Sequence, residues 1–113
     1  MKKNAFPKKY RLGQNEEFKA VIARRRRFSD NVLALYVAAN GRKYSRLGVS
    51  VGKAAGNAAV RNRFKRLVRE VFRLNREQIP AGFDYVTIAS SKAVKELTFE
   101  KAKESFLNLA GKV

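Results

Sequence analysis

The stretch "AVRNRFKRLVREVFRLNR", from Ala59 to Arg76, restricts the possible folds of this chain more than any other. It carries seven basic residues and a single acid, Glu70, yet it is also rich in large apolar side chains. At about 100° per residue it predicts one helix with two distinct faces, running from about Asn57 to Asn75. The apolar face consists of Val60, Phe64, Leu67, Val68, Val71 and Leu74, with Phe72 at its edge. Such a helix buries one face, so other parts of the chain must cover it.

The opposite face of this helix is cationic. It contains Asn62, Lys65, Arg66, Arg69, Arg73 and Arg76, with Arg61 and Arg63 at its two boundaries. A solvated helix face usually interleaves Glu with Lys at i,i+4 spacing, whereas here only Glu70 interrupts the cations. Guanidinium groups also suit bidentate contacts with phosphate. The pattern therefore favours phosphate binding over simple solvation. For Asn62 two interpretations stay open: it reads RNA edges, or it braces the start of the helix.

The charge of the whole chain supports a polyanionic partner. The 113 residues carry a formal net charge of +17, and residues 1–76 hold 21 Lys and Arg against 4 Asp and Glu. Nucleic acid is the first candidate partner and an acidic membrane surface the second. The membrane interpretation fits less well, because the apolar helix face is needed for a core. The N-terminus lacks the apolar segment of a secretory signal, so we expect a cytoplasmic protein without a membrane partner.

Protein side chains that could carry out catalysis are scarce. The chain has no cysteine and no histidine, which removes the commonest nucleophiles, general bases and zinc ligands. Glu16 and Glu17 are adjacent and would diverge on a helix. We therefore predict no catalytic residue and no metal site formed by the protein alone.

The remaining pattern predicts a single α+β domain over residues 1–113, an α/β sandwich with the order α-β-β-β-α-β-α. Residues 1–12 are interpreted as a basic, extended and partly mobile arm. Asn15 is predicted to cap the first helix, and Thr98 and Gly111 to cap the last one. The predicted strands are a short strand or turn near Arg24–Phe28, then Val32–Asn40, Tyr44–Gly52 and Phe83–Ser90. The segment "SSKAVKEL" is predicted to be a loop.

The best-supported local prediction is an antiparallel hairpin of residues 32–40 and 44–52, joined at Asn40-Gly41. The small residues Gly48, Ser50 and Gly52 would share one face of it and leave room for a nucleic-acid strand. The run Arg24–Arg27 either contacts RNA or, on an edge strand, deters edge pairing. Four side chains suit either a core or a stacking platform, with core packing favoured for most of them: Phe18, Ile22, Leu35 and Tyr36.

The segment "GVSVGKAAGNAAVRNRFKRLVRE" resembles the signature of the protein component of bacterial ribonuclease P. The resemblance extends to "RLGQNEEF", "NGRKYSRLGVSV" and "PAGFDYVTIA", and so to nearly the whole chain. The matching residues are Lys53, Gly56, Asn57, Arg61, Asn62, Arg63, Lys65, Arg66 and Arg69. Together with Arg73 from the cationic face, these positions other than Gly56 form the predicted RNA-binding set.

The resemblance implies a small basic protein that assists a large catalytic RNA in removing the 5′ leader of precursor tRNA. The hydrolysis depends on Mg²⁺ held mainly through the RNA, which supplies the active site. The Arg-Asn-Arg helix would lie against the catalytic RNA. A cleft lined by Phe18, Ile22 and Leu35 or Tyr36 would hold the single-stranded leader. The resemblance also implies a left-handed β-α-β crossover around the long helix, against the strong general preference for right-handed ones.

Two positions depart from the family pattern. Ser90 and Ser91 stand where basic residues are common, which predicts a weaker RNA contact there. Ile22 stands where an aromatic residue is common, which weakens the case for base stacking at that position. Two other functions compete with this interpretation: a ribosome-associated structural RNA-binding protein, and a membrane-active basic protein.

Overall fold

A four-stranded sheet organises the part of the chain that the computed structural model describes, residues 7–13, 15–89 and 94–113. The helices are α1 (Asn15–Ala23), α2 (Ala58–Asn75) and α3 (Phe99–Ala110). The strands are β1 (Arg27–Ser29), β2 (Leu33–Ala39), β3 (Arg46–Ser50) and β4 (Phe83–Ala89). The predicted α+β class and the order α-β-β-β-α-β-α are confirmed.

The predicted hairpin is wrong, because β4 lies between its two strands. The sheet order is β1-β2-β4-β3, in which β2 and β4 run antiparallel and β3 and β4 run parallel. The chain does reverse after Asn40, where Gly41 has a φ of 70°. However, Asn40 is bonded to β4 and the turn before it: its amide reaches the Gly82 carbonyl at 2.9 Å and its side chain reaches Asp84 at 2.8 Å. A turn signal predicts reversal, but it does not say which strand becomes the neighbour.

The strand β4 takes the central position because both of its faces are apolar or buried. Asp84, Tyr85, Val86 and Thr87 are all buried, whereas the edge strand β1 exposes Arg27 and Ser29 and the edge strand β3 is only partly buried at its two ends. The parallel pair β3–β4 needs a crossover connection, and α2 supplies it. The left-handed sense of that crossover stays a prediction.

Helices cover the two faces of the sheet unequally. On one face α2 and α3 enclose the main core, in which Phe64, Phe72, Tyr85 and Phe106 are fully buried. On the other face α1 covers a smaller cluster around Leu12, Val21 and Val86. The sheet therefore has one closed face and one face that is only partly covered.

The apolar face of α2 is rotated slightly from the predicted one. Phe64, Val68 and Val71 are buried as predicted. Phe72, predicted at the edge, is also fully buried, since its ring packs edge-to-face on Phe106 of α3 at 6.3 Å. Leu74, predicted to be in the core, is 54% exposed. The contact with α3 turns the buried face towards Phe72 and leaves Leu74 in solvent.

The end of the predicted N-terminal arm belongs to the fold. Lys8–Tyr10 form a short 3₁₀ turn, and Arg11 pairs with Leu47 as an added parallel bridge beside β3. The Leu12 amide donates to the Leu47 carbonyl at 2.9 Å, and the Leu12 side chain is buried. The prediction of a mobile arm is therefore wrong for residues 8–12, while residues 1–6 lie outside the described chain.

The helix ends follow local signals closely. Thr98 accepts a hydrogen bond from the Lys101 amide at 3.2 Å, and Gly111 follows α3, so both predicted caps are confirmed. Asn15 is instead the first helical residue of α1, one position inside the predicted cap, with Glu16 and Glu17 in the first turn. Of the predicted loop "SSKAVKEL", residues 90–93, including Ser90 and Ser91, lie outside the described residues.

Candidate nucleic-acid interface

The start of α2 explains the Gly-Asn pair that precedes it. Asn57 is the N-cap, and its side-chain oxygen accepts a hydrogen bond from the Val60 amide at 3.0 Å. Gly56 has a φ of 149°, and a Cβ there would approach Val60 to 2.9 Å. Asn57 is therefore the residue that braces the helix start, whereas Asn62 is exposed one turn later. The exposed position of Asn62 fits the interpretation that it contacts RNA better than the interpretation that it braces the helix start.

The cationic side chains of α2 project from two flanks of the helix. Arg61 donates from Nε to the Gly56 carbonyl at 3.2 Å, and Arg63 donates from Nη2 to the Leu97 carbonyl at 2.6 Å, on the side of α3. Asn62 and Arg66 lie exposed between them. The helix thus presents a broad cationic surface. Hydrogen bonds to the Gly56 and Leu97 carbonyls orient the guanidinium groups of Arg61 and Arg63 on its two flanks. Lys53 lies exposed in the 3₁₀ turn Lys53–Ala55, shortly before this helix.

Positive charges lie close together beside the middle of α2, where Arg69 is near Arg11. Burial and, secondly, the nearby charge of Arg11 lower the pKa of Arg69. Arginine remains protonated in proteins all the same. Two guanidinium groups that repel each other at a partly buried position gain free energy when an anion approaches both. Lys65, one turn earlier on the same flank, is also half-buried.

Arg73 differs from the other predicted RNA contacts because its charge is already compensated. Its Nε donates to Glu70 at 3.2 Å, and its Nη2 forms an ion pair with the same carboxylate. The hydrogen bond from Arg73 lowers the pKa of Glu70. The single acid of the helix therefore neutralises this arginine, so the charge of Arg73 is less available to a phosphate than the charges at the start of α2.

A second surface lies on the other face of the sheet, beside α1. Phe18, Ile22 and Tyr36 are partly buried and pack on the small cluster of Leu12, Val21 and Val86. Three of the four predicted cleft residues are thus brought together. Leu35 is not with them: it is 0% exposed and faces α2 and α3 in the main core. Its prediction as a cleft residue is wrong, because successive residues of β2 point to opposite faces.

The floor of this cleft differs from the predicted strip of small residues. A Cβ on Gly48 would come within 2.7 Å of the Phe18 ring and 3.0 Å of Leu12. The space at Gly48 is therefore filled by the protein itself, which allows Phe18 to lie against the sheet. Ser50 and Ile88 are paired in the register of β3 and β4, and both remain partly exposed. The open part of the floor lies at this end of the strands.

Within the run Arg24–Arg27, Arg26 and Arg27 contact opposite faces of the sheet. The Arg26 guanidinium lies 5.8 Å from the rings of Phe28 and Phe83 and donates to the Val113 carbonyl at 3.3 Å. The Arg27 guanidinium lies 5.8 Å from the Tyr36 ring, its partner in the register of β1 and β2. Since β1 is an edge strand, Arg27 places a cation at the border of the cleft.

Two partly buried ion pairs that share Arg46, here called the Arg46 brace, fix α1 to the sheet. Arg46 donates to Asp84 at 2.9 and 2.7 Å and to Glu17 of α1 at 3.1 Å. The hydrogen bonds that Arg46 donates to Asp84 are the main reason that the pKa of Arg46 is raised. The Gly13 amide and then Arg46 lower the pKa of Glu17. The brace holds the helix that carries Phe18 and Ile22, and so it sets the width of the cleft.

The sequence interpretation missed Ile88 and Arg46 as parts of this surface, and for Arg27 it left open whether the run Arg24–Arg27 contacts RNA or deters edge pairing. Charged residues inside the apolar stretches "SRLGVS" and "FDYVTIA" were the available signal for the brace. Arg46 and Asp84 are direct register partners, so this signal becomes clear only once β3 and β4 are known to pair.

Known proteins resemble this chain over nearly its whole length. Residues 6–113 match the family model described as Ribonuclease P. The "Ribonuclease P protein component" of Clostridium kluyveri is 45% identical over 105 residues, covering 91% of this chain and 93% of that protein. The chain belongs to the ribonuclease P protein component family. The expected family is thereby confirmed.

Solved structures agree with the family on the fold. A Thermotoga maritima RNase P protein, solved with 1-(4-fluorophenyl)-2-thiourea, superposes with a TM-score of 0.85 at 34% identity. The match covers 91% of this chain and 99% of that one. A Staphylococcus aureus RNase P protein gives a TM-score of 0.81 at 29% identity over 91% of this chain and 94% of that one. Membership in this family implies participation in ribonuclease P and an RNA partner.

Within the described residues, no helix is both long and apolar enough to cross a membrane.

Proposed function

We propose that this protein is the protein subunit of a ribonuclease P ribonucleoprotein and that it binds both the catalytic RNA and the 5′ leader of precursor tRNA. The observation that carries the proposal is the separation of two surfaces by the sheet. The cationic surface of α2 belongs to the closed side, and the cleft beside α1 belongs to the other side. Two surfaces of different chemistry suit two different parts of an RNA assembly.

The α2 surface suits the phosphates of folded RNA. Lys53, Arg61, Arg63 and Arg66 have no carboxylate partner within the described residues, so their charges are available to an anion. Contacts of this kind release counterions and make binding strongly dependent on salt. Asn57 supports this surface by capping the helix, and exposed Asn62 adds a group that can both donate and accept.

The cleft suits an unpaired strand. Half-buried aromatic rings allow bases to stack without reading their sequence, and a neighbouring cation can hold the backbone. Phe18 and Tyr36 provide the rings, Ile22 provides an apolar wall, Ile88 provides an apolar floor, and Arg27 provides the cation. This combination supports binding of the leader, which is single-stranded, in preference to a helical RNA segment.

Catalysis is assigned to the RNA partner, with Mg²⁺ bound mainly through RNA. Within residues 7–13, 15–89 and 94–113 no group of three acidic side chains is placed to hold a metal ion. Glu17 and Asp84 both form ion pairs with Arg46. The residues described do not fit a magnesium site of their own. In this proposal the cations of the protein reduce the repulsion between the phosphates of catalytic RNA and leader.

The decisive experiment combines the protein with its cognate catalytic RNA at low Mg²⁺. We expect leader cleavage that the RNA alone does not achieve at that Mg²⁺ concentration, and an absence of enhancement would contradict the proposal. Sequencing the RNA that co-purifies from cells tests the competing function. Recovery of ribosomal RNA in place of one discrete other RNA would support a ribosome-associated protein.

A further inference from the structure

A cavity of about 370 Å³ lies at the far end of α2 from its Arg-Asn-Arg sequence. We name it the tyrosine pocket, after Tyr10 of the N-terminal 3₁₀ turn and Tyr44 of the segment before β3. Arg76, just beyond the end of α2, and Lys43 also line it, and Glu77 is the acid among its lining residues. The pocket is large enough for a nucleobase and is separate from both surfaces described above.

The walls of the tyrosine pocket are ordered by contacts between rings and cations. Tyr10 and Tyr44 meet edge-to-face, with centroids 5.5 Å apart and planes at 87°. The Arg76 guanidinium lies 4.0 Å from the centroid of Tyr10. The Lys9 ammonium lies 5.1 and 4.9 Å from the centroids of Tyr10 and Tyr44. The rings are therefore held in place before any ligand arrives, which lowers the entropy cost of binding.

The pocket also keeps an excess of positive charge. Within the described residues Arg76 has no carboxylate partner, and its Nη1 is buried without a hydrogen bond. Arg42 stands next to Tyr44, with 3.4 Å between Nη1 and the phenol oxygen. Against the four cations Lys9, Arg42, Lys43 and Arg76, the lining contributes Glu77 alone as an acid. This arrangement favours a ligand that is both aromatic and anionic.

We propose that the tyrosine pocket binds an unpaired nucleotide of RNA, with the base among Tyr44, Tyr10 and Arg76 and the phosphate towards the surrounding cations. Bases of single-stranded RNA stack on aromatic rings and on guanidinium planes. A simple anion would use the cations but not the rings, and an acidic peptide would likewise leave the rings without a stacking partner. An unpaired nucleotide uses both.

The position of the pocket connects it to the surface of α2. Arg61 and Arg76 are fifteen residues apart, which corresponds to about 22 Å along a helix. Arg69 lies on the flank between them, and Arg11 lies close enough to Arg69 for their positive charges to repel each other. An RNA strand that leaves the start of α2 along this flank would reach the tyrosine pocket. The inference rests on the proposed function, since it adds a second RNA contact to a protein already proposed to bind RNA.

Photocrosslinking can locate the contact. We would incorporate 4-thiouridine into the cognate catalytic RNA in one arm and into precursor tRNA in another, bind each to the full chain, and map crosslinked peptides by mass spectrometry. We expect crosslinks in peptides that contain Tyr10 or Tyr44 in at least one arm, and that arm identifies the source of the nucleotide. Crosslinks restricted to α1, β2 and the start of α2 would overturn the inference and leave the proposed function intact. An absence of any crosslink would contradict both.

Variants make the same test quantitative. Tyr44→Leu removes the ring but keeps an apolar side chain, and we expect RNA affinity to fall about tenfold, as for the loss of one stacked base. Arg76→Gln should reduce crosslinking at Tyr44, while Lys101→Gln, which removes one charge from the exposed surface of α3, should not. Retained crosslinking at the cleft shows that the variants are folded. Wild-type affinity in Tyr44→Leu, together with unchanged Tyr44 crosslinking in Arg76→Gln, would assign the pocket to packing alone.

Discussion

The cationic surface of α2 and the cleft beside α1 differ in how the chain builds them. The α2 surface is formed by one continuous segment, and its cap, buried face and cations all follow the period of a helix. The cleft is formed by α1, β1, β2, β3 and β4, which the sequence places far apart, and it depends on the Arg46 brace. A surface made by one helix is robust to local change, whereas a surface made by five elements depends on their relative positions.

The largest expected effect comes from a substitution in the main core, which supports both α2 and the sheet. Phe64 is fully buried between α2 and the sheet, and Phe64→Ala should lower the free energy of unfolding by about 3 to 5 kcal/mol. Leu74→Ala on the same helix is the control, since Leu74 is largely exposed and should change stability by less than about 0.5 kcal/mol. Denaturant unfolding measures both. Equal losses would mean that the buried face of α2 is assigned wrongly.

The next effect separates the two surfaces. Arg46→Ala leaves buried Asp84 without its cationic partner, although Asn40 still donates to it, and should cost about 3 kcal/mol of stability. Because Glu17 also loses its contact with β3, we expect the folded variant to bind leader RNA more weakly and to keep its affinity for the catalytic RNA. Lys19→Ala, which removes an exposed cation from α1, should preserve stability. Equal weakening of both RNA affinities in Arg46→Ala would show that the surfaces are not independent.

The smallest effect is a pH dependence of the cleft that arises from Glu17. The Gly13 amide and Arg46 hold the pKa of Glu17 below its ordinary value of 4.5. A depressed pKa stabilises the folded state above the unfolded value, and this contribution is lost as the pH falls through the folded-state pKa. We therefore expect amides of α1 to lose hydrogen-exchange protection before the buried amides of α2 when the pH drops below about 4.5. Glu17→Gln should weaken that difference, and simultaneous loss in both helices would contradict it.

The features that could be predicted from the sequence are those set by neighbouring residues. The cap at Thr98, the buried Phe64 and the cationic face of α2 follow from spacing along one helix. The errors arose where partners are distant in the chain. Nothing near Asn40-Gly41 indicates that β4 inserts between β2 and β3, because the central position of β4 depends on both of its faces being covered. Leu35 and Tyr36 are both apolar residues of a strand buried on two faces, so the pattern cannot say which of them faces α1.

The Arg46 brace and the tyrosine pocket could not be predicted from the sequence either, because their residues are also distant in the chain. Arg46 and Asp84 are 38 positions apart and become register partners only in the finished sheet. Tyr10, Tyr44 and Arg76 belong to three segments that meet at the end of α2. Each of these residues alone looks like an ordinary surface or strand residue. Their chemistry appears only when the topology brings them together.

The central claim is that the cleft holds the leader and the α2 surface holds folded RNA. The most direct test measures the affinity of the assembled ribonucleoprotein for precursor tRNA with leaders of increasing length. Tyr36→Leu should flatten the gain in affinity with leader length, by about 1 to 3 kcal/mol per stacked base lost. Arg66→Ala should weaken assembly with the catalytic RNA and leave the dependence on leader length unchanged. A wild-type dependence on leader length in Tyr36→Leu, or a flattened one in Arg66→Ala, would contradict the division between the two surfaces.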